Sequence, residues 1–126
     1  MSELATRLQI KPGNSVSLVD PPAGFALELP AGAARVEDRG EIDVVLAFVT
    51  AQKDLPTVAG QALRRGRPGG ILWICYPKKT GALTSDVNRD IPWTPLADAG
   101  YRPVTQVAID DTWLALRFRP LSEVGQ

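Results

Sequence analysis

The sequence predicts an α/β domain: a mostly parallel sheet of roughly five or six strands, helices on both faces, and a C-terminal antiparallel hairpin at one side. Asp43 to Val49 (DVVLAFV) and Ile71 to Pro77 (ILWICYP) are runs in which large apolar residues fill both faces, as in strands buried on both sides. Between them Leu55, Val58, Ala59, Ala62 and Leu63 lie at i, i+3, i+4, i+7 and i+8, the single apolar stripe of a helix. Near the end, Val104 to Ile109 and Thr112 to Arg119 read as two strands joined across Asp110-Asp111. Strand, helix, turn, strand is a βαβ unit, so its strands should be parallel with a right-handed crossover.

In order along the chain, Leu4, Ala5 and Leu8 fall at helical spacing behind a Ser2 cap, and Lys11-Pro12-Gly13 ends that short helix. Val16 to Val19 is a strand, stopped by Asp20 and Pro21-Pro22. Phe25 to Leu29 is expected to make one or two helical turns, closed by Pro30 and Gly32, and Ala34 to Glu37 a second short strand. In the central helix Asp54 is the expected cap, Pro56 suits the first turn, and Gly66 ends it behind Arg64 and Arg65. Pro68-Gly69-Gly70 then turns the chain into Ile71. Thr84 or Ser85 would cap a helix starting at Asp86, and Thr94 would cap another, with Pro95 in its first turn and Gly100 at its end.

At 126 residues, 44% hydrophobic and 22% charged, the chain has the size and composition of one globular domain, read as residues 1–120 with a frayed tail at 121–126. No apolar run is long enough to span a bilayer, and no segment pairs a basic region with an apolar one as a secretion signal does, so the expected location is cytoplasmic. Fourteen basic and fourteen acidic residues cancel, which argues against non-specific nucleic-acid binding. With no histidine and one cysteine, the usual zinc and iron ligand sets, Ser-His and Cys-His nucleophile pairs and internal disulfides are excluded. No metal site is expected.

Ile71 to Asp90 is the stretch around which a function is expected, because a buried strand there empties into a polar loop. In open α/β sheets, ligands bind outside the carboxyl ends of the strands. Lys78 and Lys79 leave that strand together with Thr80, Thr84 and Ser85, and cations, hydroxyls and a following helix start are what an anionic group needs. A solvated loop is the plainer account of the same residues. Tyr76, at the strand's exit, would form one wall. Asp86 and Asp90, four apart on the expected helix, are a carboxylate pair that local caps and ion pairs explain equally well. Cys75 and Trp73 read as core and Trp113 as packed on the sheet, whereas Trp93, between two prolines, is a candidate partner contact.

LQIKPGNSVSLVD, DVVLAF, LRRGRPGGILWI and a closing hairpin, in that order, resemble the organisation of S-adenosylmethionine-dependent methyltransferases, a Rossmann-like three-layer sandwich. Lys11 to Gly13, Pro68 to Gly70, Tyr76 to Lys79 and Asp110 to Trp113 are also similar to segments shared by a small bacterial family of unassigned function. The methyltransferase resemblance implies that Asp20, Glu37 or Asp38 would contact an adenosyl cofactor, with Tyr76 or Asp86 handling a proton. The chain departs from that pattern where the family has a glycine-rich turn, because Pro21-Pro22-Ala23-Gly24 stiffens the loop and removes two amide donors.

Three readings follow. The first is a non-catalytic or regulatory module that binds a small anionic ligand or a protein partner at loop 77–90. The second is a methyltransferase-like enzyme using S-adenosylmethionine, which requires that Phe25 and the two prolines leave the sheet end open. The third is a structural subunit that works as a homo-oligomer or with a protein partner.

Overall fold

The structure is a computed structural model, and it describes residues 3–37, 40–79 and 83–123. Its elements are α1 (Glu3–Arg7), β1 (Ser15–Val19), β2 (Ala34–Arg35), β3 (Ile42–Phe48), α2 (Leu55–Arg65), β4 (Gly66–Pro77), α3 (Thr94–Asp98), β5 (Tyr101–Ala108) and β6 (Trp113–Pro120). One six-stranded sheet takes the order β2-β1-β3-β4-β6-β5. β2, β1, β3 and β4 pair in parallel, and β6 is antiparallel to both of its neighbours. β5 therefore runs with β4, and β6 alone is reversed.

The both-faces apolar runs become the two sides of the core. In β3, Val45 and Ala47 face one cluster while Val44, Leu46 and Phe48 face the other. β4 divides the same way, with Leu72, Ile74 and Tyr76 on the first side and Trp73 and Cys75 on the second. Leu55, Val58, Ala59 and Ala62 of α2 and Leu96 of α3 cover the first cluster, and Ala5 and Leu8 cover the second. The arrangement is the expected three-layer α/β sandwich.

The crossover from β1 to β2 differs from expectation. No helix forms at Phe25 to Leu29, which runs without regular structure. Phe25, Leu27 and Leu29 are half-buried against the second cluster, while Ala26 and Glu28 are exposed. The apolar period is two, which suits an extended strap and leaves a helix without a continuous stripe.

Two further expectations are corrected. No helix starts at Asp86: Ser85 Oγ accepts from the Val87 amide (3.0 Å) and Asn88 Oδ1 from the Asp90 amide (2.8 Å), so side chains close local turns instead. Trp93 is buried, 3% exposed, and so is no surface contact. Its backbone is left-handed (φ 52°), and its ring lies between Tyr76 and Phe118, with the indole N–H donating to Arg89 O at 3.1 Å.

Several boundaries also move. Thr94 is the first residue of α3 rather than its cap, and Asp54 makes no side-chain capping bond to α2. β4 begins at Gly66 opposite Ile42 and bulges through 67–70 before Ile71 pairs with Val44. A Cβ on Gly70 would stand 3.0 Å from the carbonyl oxygens of Arg67 and Asp43, so the bulge requires glycine there. Leu121–Glu123 forms a 3-10 turn whose Leu121 amide donates to Gly100 O (2.6 Å), and the rest of the expected tail, 124–126, lies outside the described residues.

Asp43 ties three strands together at this bulge. Its carboxylate accepts from the Ser15 amide (2.9 Å), the Ser15 hydroxyl (3.2 Å) and Arg67 Nε (2.7 Å). The Ser15 amide, with help from Arg67, holds its carboxyl below the ordinary aspartate value. Stability from a lowered carboxyl is present above the unfolded value of about 3.9 and is lost as pH falls through the folded one. Asp43→Asn should therefore cost about 1–2 kcal/mol at neutral pH. The gap from wild type should close on acidification below about pH 4. Urea titrations at several pH values check this, and a gap that persists in acid would refute it.

Candidate functional site

The carboxyl ends of β1, β3, β4 and β5 and the start of β6 form one rim of the sheet. Two aromatic series brace it. Phe25, Phe48 and Trp113 meet edge to face at 5.0 and 5.2 Å on one side; on the other Trp93 meets Phe118 edge to face at 5.2 Å and lies tilted against Tyr76 at 5.9 Å.

Along this rim the sequence-predicted residues separate. Lys78 and Lys79 follow β4, with the Lys78 amide fixed to Thr112 O (2.8 Å), and both side chains line two adjoining clefts. In one, of about 340 Å³, they join Tyr76, Asn88, Arg89, Asp90 and Gln106 over a floor of Pro77 and Leu114. In the other, of about 390 Å³, they face Thr84, Ser85 and Asn88, with Leu83 and Val87 as apolar walls. Among the described residues, Lys78, Lys79 and Arg89 have no ion-pair partner. Thr80 lies outside the described residues.

Tyr76 is 3% exposed, and its hydroxyl donates to Gln106 Oε1. Burial pushes its phenol up, the Arg89 charge pulls it back in part, and Asp90 adds to the rise. It is thus a neutral hydrogen-bonding wall at physiological pH. Ser85 donates to Thr50 O at 2.7 Å. Asp86 lines neither lysine cleft. Its Oδ1 caps the Gln52 amide (2.8 Å) at the 3-10 turn before α2, and its carbonyl accepts from the Gln52 side chain. Cys75 is fully buried, and burial pushes its thiol far up, which leaves it unreactive.

A third cleft, of about 410 Å³, opens over the ends of β1 and β3, lined by Asp20, Pro22, Phe48, Thr50, Asp54, Thr57 and Trp113 among others. Asp20 is exposed there with a left-handed backbone (φ 51°) directly before Pro21, a costly conformation for that position. Phe25 packs against Phe48 and does not line this cleft, so of the feared plug only Pro22 reaches it. Glu37 does not line it either: its carboxylate pairs with Arg35 Nε at 2.9 Å in the open. Asp38 lies outside the described residues. Leu83, 42% exposed, is common to this cleft and the Thr84-Ser85 cleft and forms the ridge between them.

Comparison with solved structures bears on what such a rim belongs to. The chain superimposes on a SAM-dependent methyltransferase from Aquifex aeolicus with a TM-score of 0.61 at 13% identity, over 92% of this chain and 87% of that one. The chain shares the methyltransferase fold. It also matches LepI in complex with SAM, with a TM-score of 0.50 at 10% identity, over 91% of this chain but 38% of the other. At such identities the likeness is one of fold. No family model matches the chain, and none of the curated proteins does.

Asn88 and Gln106 were not among the residues singled out from the sequence, where Arg89 figures only as a neighbour of Asp86 and Asp90 on one expected helical turn. Arg89 and Asn88 reach the lysine cleft because 85–90 turns back on itself, and Gln106 because β6 inserts between β4 and β5. A cation eleven residues beyond Lys78 in a Ser/Asp/Asn-rich loop was the available signal. Among the described residues no group of three or more histidine, cysteine or carboxylate side chains is placed to hold a metal ion. Among those same residues no helix is long and apolar enough to cross a membrane.

Proposed function

We propose that the protein is a non-catalytic ligand-binding module on a methyltransferase-type sheet, and that its rim at 77–90 holds a small anionic ligand. The observation that carries this reading is the meeting of Lys78, Lys79 and Arg89 in one cleft, three cations against the single carboxylate of Asp90, beside neutral hydrogen-bonding groups on Tyr76, Asn88 and Gln106. Three cations suit a multiply charged group such as a phosphate ester, which Arg and Lys recognise by charge-assisted hydrogen bonds. Tyr76, Asn88 and Gln106 would read the uncharged part, while Thr84 would offer a hydroxyl on the neighbouring side, where Ser85 is already bonded to Thr50 O and the Val87 amide.

A thermal-shift screen against nucleotides, phosphorylated metabolites and S-adenosylmethionine tests it. A ligand at a hundred times its dissociation constant stabilises by about 2.7 kcal/mol, a shift of roughly several degrees for this length. A phosphorylated hit supports the reading, and silence across the panel counts against it and turns attention to a protein partner or a second copy.

The open cleft over β1 and β3 favours a second reading, that of a methyltransferase-like enzyme with S-adenosylmethionine near Asp20, Thr50 and Asp54. The loop at Pro21-Pro22 stands against it, since it lacks the amide donors that a glycine-rich turn supplies. Calorimetric binding of S-adenosylmethionine that Asp20→Ala abolishes would make this reading the better one.

A further inference from the structure

We propose that the crevice beneath the strap 25–29 is a separate binding site for a small carboxylate with an apolar body. The crevice, of about 250 Å³, has Val16 and Leu18 of β1 as its floor and Phe25, Leu27 and Leu29 as its roof. Among the described residues, Arg35 at the end of β2 is the one charged residue in its lining. Apolar walls with a single guanidinium select a ligand of the same pattern, with one carboxylate for the planar fork and hydrocarbon for the rest. The space equals about eight waters of liquid volume, which admits a molecule of about the size of octanoate.

The strap is entered through a turn closed by the Phe25 amide to Pro22 O and is left where the Gly13 amide donates to Ala31 O (both 3.0 Å). Arg35 is engaged by Glu37, but the side chains are 47% and 63% exposed, and an ion pair in water is weak. A ligand carboxylate carrying its own apolar anchor replaces Glu37 at little cost. The crevice lies on the face of the sheet opposite α2, lined by residues distinct from those around Lys78 and Lys79, so the two sites are independent.

The test is an NMR titration with octanoate that follows the methyl signals of Leu18, Leu27 and Leu29, with 1-octanol as the uncharged control. Saturable shifts at those methyls are expected. Arg35→Gln should weaken octanoate about tenfold, to the level of octanol, and Glu37→Gln should tighten it about threefold. Both positions are exposed, so neither variant threatens folding. Lys78→Ala/Lys79→Ala should bind octanoate as wild type does. Equal affinity in wild type and Arg35→Gln, shifts confined to the methyls of Val87 and Leu114 in the lysine clefts, or no saturable shift up to the solubility of octanoate would each overturn the proposal.

Discussion

Replacing Trp73 by alanine should cost about 3–5 kcal/mol and lower the melting temperature by roughly 10–20 °C. Trp73 is fully buried at the centre of β4, in the cluster beneath α1, where the cavity left by an indole cannot be filled by neighbours already in contact. Its N–H also donates to Leu8 O at 3.0 Å, at the carboxyl end of α1. The variant therefore strands a buried carbonyl as well as opening a void, and both penalties add. For a fold whose whole stability is typically about 5–15 kcal/mol, that is a large share. Leu121→Ala, at a side chain 50% exposed, is the matched control and should change little. Similar melting temperatures for Trp73→Ala and wild type would mean that β4 is not the centre of the core.

Lys78→Ala/Lys79→Ala should leave stability nearly unchanged and weaken the rim ligand about a hundredfold. Lys78 is half-buried and Lys79 exposed, and among the described residues neither side chain takes part in an ion pair, so the fold loses little. Each charge-assisted hydrogen bond to an anion is worth about 1.5–3 kcal/mol, and losing two gives at least that factor. Arg89→Ala should weaken the same ligand by about tenfold or more, and raised salt should weaken all these contacts together. The calorimetric titration that measures this also guards against a trivial result. An unchanged affinity in the double variant removes the rim from consideration, whatever ligand was found.

The parts of the fold legible in the sequence are those whose pattern has one physical solution. DVVLAFV and ILWICYP fill both faces with large apolar groups, and only a strand between two layers buries both. The α2 stripe is equally direct. Phe25 to Leu29, bounded by Pro30 and Gly32 like a short helix, alternates half-buried and exposed residues, and that period of two makes it an extended strap instead. The expected helix at Asp86 failed for a competing reason. Ser85, Asp86 and Asn88 direct their oxygens to the amides of Val87, Gln52 and Asp90, which makes turns more favourable than a helical start. Trp93 looked stranded between prolines, but a left-handed backbone at that residue swings its ring inward.

The candidate site was legible as a place and less so as a set of residues. Lys78 and Lys79 follow a buried strand, so they had to emerge on the rim. Arg89 and Gln106 join them through a loop path and a strand order that no local spacing encodes. Glu37 was assigned by its place in a resemblance, and the structure instead pairs it with Arg35 away from the cleft.

Ligand is expected at the lysine cleft of the rim rather than over β1 and β3. Backbone amide NMR during titration with pyrophosphate, then with the phosphorylated hit of the screen, tests it most directly. The account predicts saturable shifts at Lys78, Asn88, Arg89 and Gln106 that vanish in Lys78→Ala/Lys79→Ala. Shifts centred on Asp20, Thr50 and Asp54 that survive in the double variant would contradict it and move the functional site to the methyltransferase-like cleft.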